Sequence, residues 1–109
     1  MQVNSYRDLL KLLDDFVTSH DIDVIGSRHG SFWSDLSYEQ FVRGDVPNVP
    51  NVRILVPGNS DQSNLVRILR GPLTINGRTY RRMPAGGPYL TDELIAAVAD
   101  WIDRNCPNP

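Results

Sequence analysis

The sequence predicts an all-α fold of about four helices, with a small β-hairpin excursion near residues 73–81. Three observations carry that expectation. Apolar residues recur at helical spacing in two long segments, one near each end of the chain. Good capping residues stand at the start of each helical segment. Prolines and glycines punctuate the links between them. At 109 residues, a single domain over 1–109 is the expected organisation.

The first helix is expected from about Ser5 to Ser19, with Leu9, Leu10, Leu13, Phe16 and Val17 on its apolar side. Ser5 can cap it, Asp8 sits favourably near the positive end of its dipole, and His20-Asp21 ends it. A short helix follows from about Tyr38 to Arg43. Ser37 and Gln40 have capping-box spacing, Leu36 and Phe41 can form a hydrophobic staple, and Gly44 stops the helix. Pro47, Pro50 and Pro57 exclude a helix over the next stretch. It reads as an extended connector with Ile54 to Val56 buried.

A third helix is expected from about Asp61 to Leu69, capped by Ser60 or Asn59 and ended by Gly71-Pro72. Asn76-Gly77, between β-compatible residues, is a two-residue hairpin signal. The last helix begins after Thr91, with Asp92 and Glu93 in its first turn. Its stripe is Leu94, Ile95, Val98, Trp101 and Ile102, and Pro107 lies just past its end. The apolar sides of the first and last helices are expected to cross in contact.

Net charge is -2, which gives no general attraction to nucleic acid or to an anionic membrane. The charge is unevenly spread. Residues 1–52 hold four cations against eight acids, whereas residues 53–109 hold seven arginines against five acids. Arginine's planar, bidentate head suits a docking surface, so Arg67, Arg70, Arg78, Arg81 and Arg82 mark the expected contact with a protein partner. Cys106 is the single cysteine, which excludes an intrachain disulfide and a cysteine-based zinc site.

No secretory leader and no run of about 20 apolar residues is visible, so the expected location is cytoplasmic, or periplasmic if a leader has been removed. No Ser-His-Asp order, phosphate-cradling glycine loop or HExxH is present, and no enzyme is expected. His20, Asp21, Asp23 and His29 lie near one another in sequence, but their spacing matches no metal signature.

Three stretches carry a family resemblance: "VIGSRHG" (24–30), "PGNSDQSNLVRILRG" (57–71) and "RRMPAGGPYLTDELIAAVADWI" (81–102). Together they resemble a cytochrome c-type domain, closest to the small cytochrome-like modules of planctomycetes and related bacteria. The resemblance covers nearly the whole chain and is most specific in its C-terminal half. It implies that His29 matches the proximal haem ligand and Met83 the distal one. The two thioether cysteines are missing, because Ile25 and Arg28 stand in their places. Covalent haem attachment is thereby excluded on chemical grounds.

Two functional expectations follow from the resemblance. In the first, haem has been abandoned and the domain is a small protein-interaction or ligand-pocket module without a cofactor. Ile25, Arg28, Phe32, Trp33, Tyr80, Tyr89 and Leu90 then line or fill the former haem space, because an empty apolar cavity costs about 24 cal/mol per Å³. In the alternative, haem binds noncovalently through His29 and Met83 and the domain transfers electrons, since His/Met ligation raises the reduction potential.

Overall fold

The computed structural model describes residues 2–20, 36–46, 51–75, 77–83 and 88–108. Helix α1 spans Tyr6–Ser19. The Ser5 side chain accepts a hydrogen bond from the Asp8 amide, and His20 closes the helix by donating its own amide to the Phe16 carbonyl. Tyr6, Leu9, Leu12, Leu13 and Phe16 are buried, while Leu10 and Val17 pack at the margin of the core. Leu12 was missing from the expected stripe, and it completes the inward face.

Helix α2 spans Tyr38–Arg43 and carries the expected capping box, with both reciprocal bonds made between Ser37 and Gln40. Phe41 is fully buried, and Leu36 packs against the same core. Gly44 ends the helix for a reason of space. Its backbone is extended (φ -94°), but a Cβ there would lie 2.3 Å from the Gln40 carbonyl oxygen. Next, residues 44–46 and 52–54 run antiparallel: Val46 donates to the Val52 carbonyl, and Ile54 donates to that of Gly44. Ile54 and Leu55 are buried as expected, whereas Val56 is 36% exposed.

The expected third helix is two elements. A 3-10 turn over Ser60–Gln62 is capped by the Asn59 side chain, and helix α3 spans Asn64–Arg70. Ser63 makes the break between them. Its buried hydroxyl accepts from the Val56 amide and donates to the Asn59 carbonyl, so it is not free to cap α3. Gly71 closes α3. Strands β1 (Leu73–Ile75) and β2 (Arg78–Tyr80) then pair antiparallel, with Leu73 opposite Tyr80, Thr74 opposite Thr79 and Ile75 opposite Arg78. That register leaves Asn76-Gly77 as a two-residue connection, and Gly77 has the positive φ (79°) such a tight hairpin requires.

The all-α fold class is therefore corrected. Among the described residues, four helices and a two-stranded antiparallel sheet make a mixed fold. The hairpin itself falls where the sequence placed it. What the all-α reading underweighted is that β-branched residues on both sides of Asn76-Gly77 form a true ladder, a sheet in its own right.

Helix α4 spans Asp92–Asp103, with the Thr91 side chain accepting from the Leu94 amide. Ile95, Val98, Trp101 and Ile102 are buried. The backbone of α4 runs beside α3 and the 3-10 turn, and its apolar side shares one hydrophobic cluster with that of α1. The four described helices all contribute to one hydrophobic cluster, with Trp101, Phe41 and Leu9 among its fully buried members. Ser60 ties the 3-10 turn to the end of α4, its amide and hydroxyl both donating to the Asp103 carboxylate.

The exit from α4 is a Schellman motif. The Cys106 amide donates to the Trp101 carbonyl and the Asn105 amide to that of Ile102, with Asn105 left-handed at φ 68°. The motif places Cys106 in the core beside Trp101. The Arg104 guanidinium reaches back to the Val3 carbonyl at the other end of the chain. No helix among the described residues is long and apolar enough to cross a membrane.

Candidate functional site

The C-terminal end of α3 is where the sequence-predicted residues gather. A short helix leaves its last carbonyls without intrahelical partners, and they must be satisfied from elsewhere. The segment after β2 does this. The Met83 amide donates to the Ile68 carbonyl at 2.9 Å, and the Arg82 Nε donates to the Leu69 carbonyl at 2.9 Å. Arg82 also stacks on Tyr89, its guanidinium carbon 4.3 Å from the ring centroid. One side chain thus joins the end of α3 to the residues that lead into α4.

Cations are favoured at this end of the helix, where the macrodipole is negative. Arg67 and Arg70 occupy the last turn of α3, and Arg81 and Arg82 are brought to it by the docked segment. Arg78 sits at the start of β2. Arg67, Arg70, Arg78 and Arg81 are exposed. Arg70 has an acidic partner, Asp61, at 3.5 Å, and this is a solvent-facing pair of small energetic value. Arg67, Arg78 and Arg81 have no ion pair among the described residues. Exposed Arg67, Arg70 and Arg81 thus belong to the two segments that are joined at this helix end.

Met83 and Tyr80 are half-buried, Tyr89 is 43% exposed and Leu90 is 4% exposed within the main core. Ile25, Arg28, His29, Phe32 and Trp33 lie outside the described residues, as do Asp21 and Asp23. No three metal-ligating side chains converge among the described residues. Every buried side-chain nitrogen or oxygen among them has a hydrogen-bond partner, so none is left pointing at a ligand.

Cys106 is 1% exposed, and burial pushes its thiol from about 9 up to about 11. It is therefore a protonated core side chain at neutral pH, with none of the thiolate character that reactivity needs. The Tyr6 phenol, which donates to the Leu36 carbonyl, is raised by burial to about 12. The Tyr38 phenol is raised by desolvation first, and then by the neighbouring Cys106 and Glu39.

Sequence reasoning named Arg82 and Tyr89 separately and missed their stacking, because no local spacing rule reads a ring contact from these two positions. No family model, curated protein or solved structure matches the chain.

Proposed function

We propose that the domain is a noncatalytic protein-interaction module that docks an acidic partner through the arginine surface at the end of α3. The observation that carries this reading is the pairing pattern: Arg67, Arg78 and Arg81 are exposed without an acidic partner among the described residues. A positive surface of this kind accelerates encounter with an acidic partner and selects against basic ones. The Arg82–Tyr89 stack supplies two residue types enriched at interface hot spots. The resemblance to small cytochrome modules, combined with Ile25 and Arg28 at the thioether positions, supports a chain that has exchanged haem chemistry for binding.

The test compares wild type with a triple charge reversal, Arg67→Glu/Arg70→Glu/Arg81→Glu, as immobilised bait in a cell extract at low and high salt. Partners retained by the wild type at low salt should be released by high salt and absent from the variant. Equal retention by both proteins would refute the reading.

A second reading, noncovalent haem held by His29 and Met83, is supported by the position of Met83. Its amide is fixed on α3 and its side chain is only partly covered. It ranks second because Ile25 and Arg28 stand at the thioether positions, so haem would have no covalent tether. A hemin titration separates the two. A sharp Soret band that is lost in Met83→Ala would favour haem, and an unchanged hemin spectrum would favour the interaction module.

A further inference from the structure

Resting on the arginine-surface reading, we infer that the outer edge of β2 is a docking edge for an extended acidic peptide segment of the partner, which adds to the sheet as a third strand. The inference starts from register. In a two-residue hairpin the residues flanking the loop, here Ile75 and Arg78, exchange backbone hydrogen bonds, and the next pair outward does not. Thr74 and Thr79 are that next pair. Their hydroxyls lie 3.0 Å apart, in keeping with the closer side chains of a non-hydrogen-bonded pair. The Thr79 N–H and C=O therefore face away from β1.

Among the described residues the sheet has two strands, and so two outer edges. The β1 strand lies against α3, whereas Arg78 and Thr79 of β2 are exposed. An exposed strand edge is a template for main-chain pairing, which gives affinity without sequence information. Specificity then comes from what flanks the edge. Here these are Arg78 on the strand, Arg81 just past it and Arg82 anchored on α3. Charge complementarity selects an acidic strand. The same arginines disfavour pairing with β2 of a second copy, which would bring like charges together.

The probe is a fluorescein-labelled eight-residue peptide of alternating glutamate and valine, read by fluorescence anisotropy. Its fully N-methylated form keeps every charge and removes every main-chain donor. The wild-type domain should bind the unmethylated peptide and lose about tenfold or more in affinity for the methylated one, as expected for two or more lost hydrogen bonds. Thr79→Pro removes the outward donor without removing a ladder bond, and should lose a similar factor with an unchanged circular dichroism spectrum.

Equal binding of both peptides would overturn the edge inference and leave the arginine-surface reading standing. Failure of the wild type to bind the unmethylated peptide would also overturn the edge inference, while the charge-reversal comparison in extract judges the surface reading separately. Self-association that Thr79→Pro abolishes would place a second copy on the edge and overturn the assignment of an acidic partner. The methylated peptide keeps the test informative even if Thr79→Pro fails to fold.

Discussion

The phenol of Tyr38 donates to the carbonyl oxygen of Cys106 at 2.5 Å, across 68 positions of sequence. The bond fixes the start of α2 against the exit of α4. Tyr6 adds to the same corner, its ring 5.7 Å from that of Tyr38 and 5.2 Å from that of Phe41. Tyr38→Phe keeps the packing and leaves the Cys106 carbonyl without this donor. It should lose about 1–3 kcal/mol of stability in urea denaturation, the usual cost of a stranded polar group. A loss indistinguishable from zero would show that solvent satisfies the carbonyl instead.

Trp101 is fully buried and donates its indole N–H to the Pro107 carbonyl. Trp101→Ala removes the largest side chain of the core and should cost about 3–5 kcal/mol. Trp101→Phe keeps most of the apolar volume and should cost clearly less. If the two variants prove equal, the hydrogen bond to Pro107 outweighs the packing.

Cys106 makes stability pH-dependent at the alkaline end. Burial suppresses thiol ionisation in the folded state, so the folded chain holds its proton up to about 11 while the unfolded chain releases it near 9. The contribution is therefore fully present below about pH 9 and is lost as the pH rises toward 11. A two-unit difference corresponds to a loss on the order of 2 kcal/mol. Urea midpoints measured from pH 8 to 11 should fall more steeply for the wild type than for Cys106→Ala. Parallel pH profiles would count against the burial argument. The same thiol should react with a disulfide reagent only after unfolding.

Gly44→Ala tests a purely steric requirement. The backbone there suits any residue, but the added methyl would meet the Gln40 carbonyl oxygen at 2.3 Å. The end of α2 must shift to relieve the clash, at a cost of about 1–3 kcal/mol. A neutral substitution would mean that the turn into residues 44–46 is more adaptable than its hydrogen bonds suggest.

Local chemistry was the legible part of this sequence. The caps at Ser5, Ser37 and Thr91 each make their side-chain bond, and Asn76-Gly77 falls between two paired strands. These features depend on residues only a few positions apart. That α4 runs beside α3 was not legible, because α1 and α3 both present apolar faces and periodicity does not rank them. The split at Ser63 was hidden for a related reason. Ser63 lies inside the expected helix, and only its hydroxyl's bonds to Val56 and Asn59 mark the break. At the candidate site, the arginines could be named from charge alone. Their gathering around one helix end depends on Met83 and Arg82 docking onto α3, which only the folded chain reveals.

The contact between Arg104 and Val3 brings the chain's entry and exit points side by side. A body whose two ends meet can be spliced into a loop of a host protein as a self-contained cassette, with little distortion of either partner. It can also be rewired. A short polar linker joining residue 108 to residue 2 would permit new ends elsewhere, and the hairpin connection at Gly77 is an exposed place to open them. Such a permutant would keep every helix cap while severing the short direct link between β1 and β2, so that the two strands would have to pair from opposite ends of the chain.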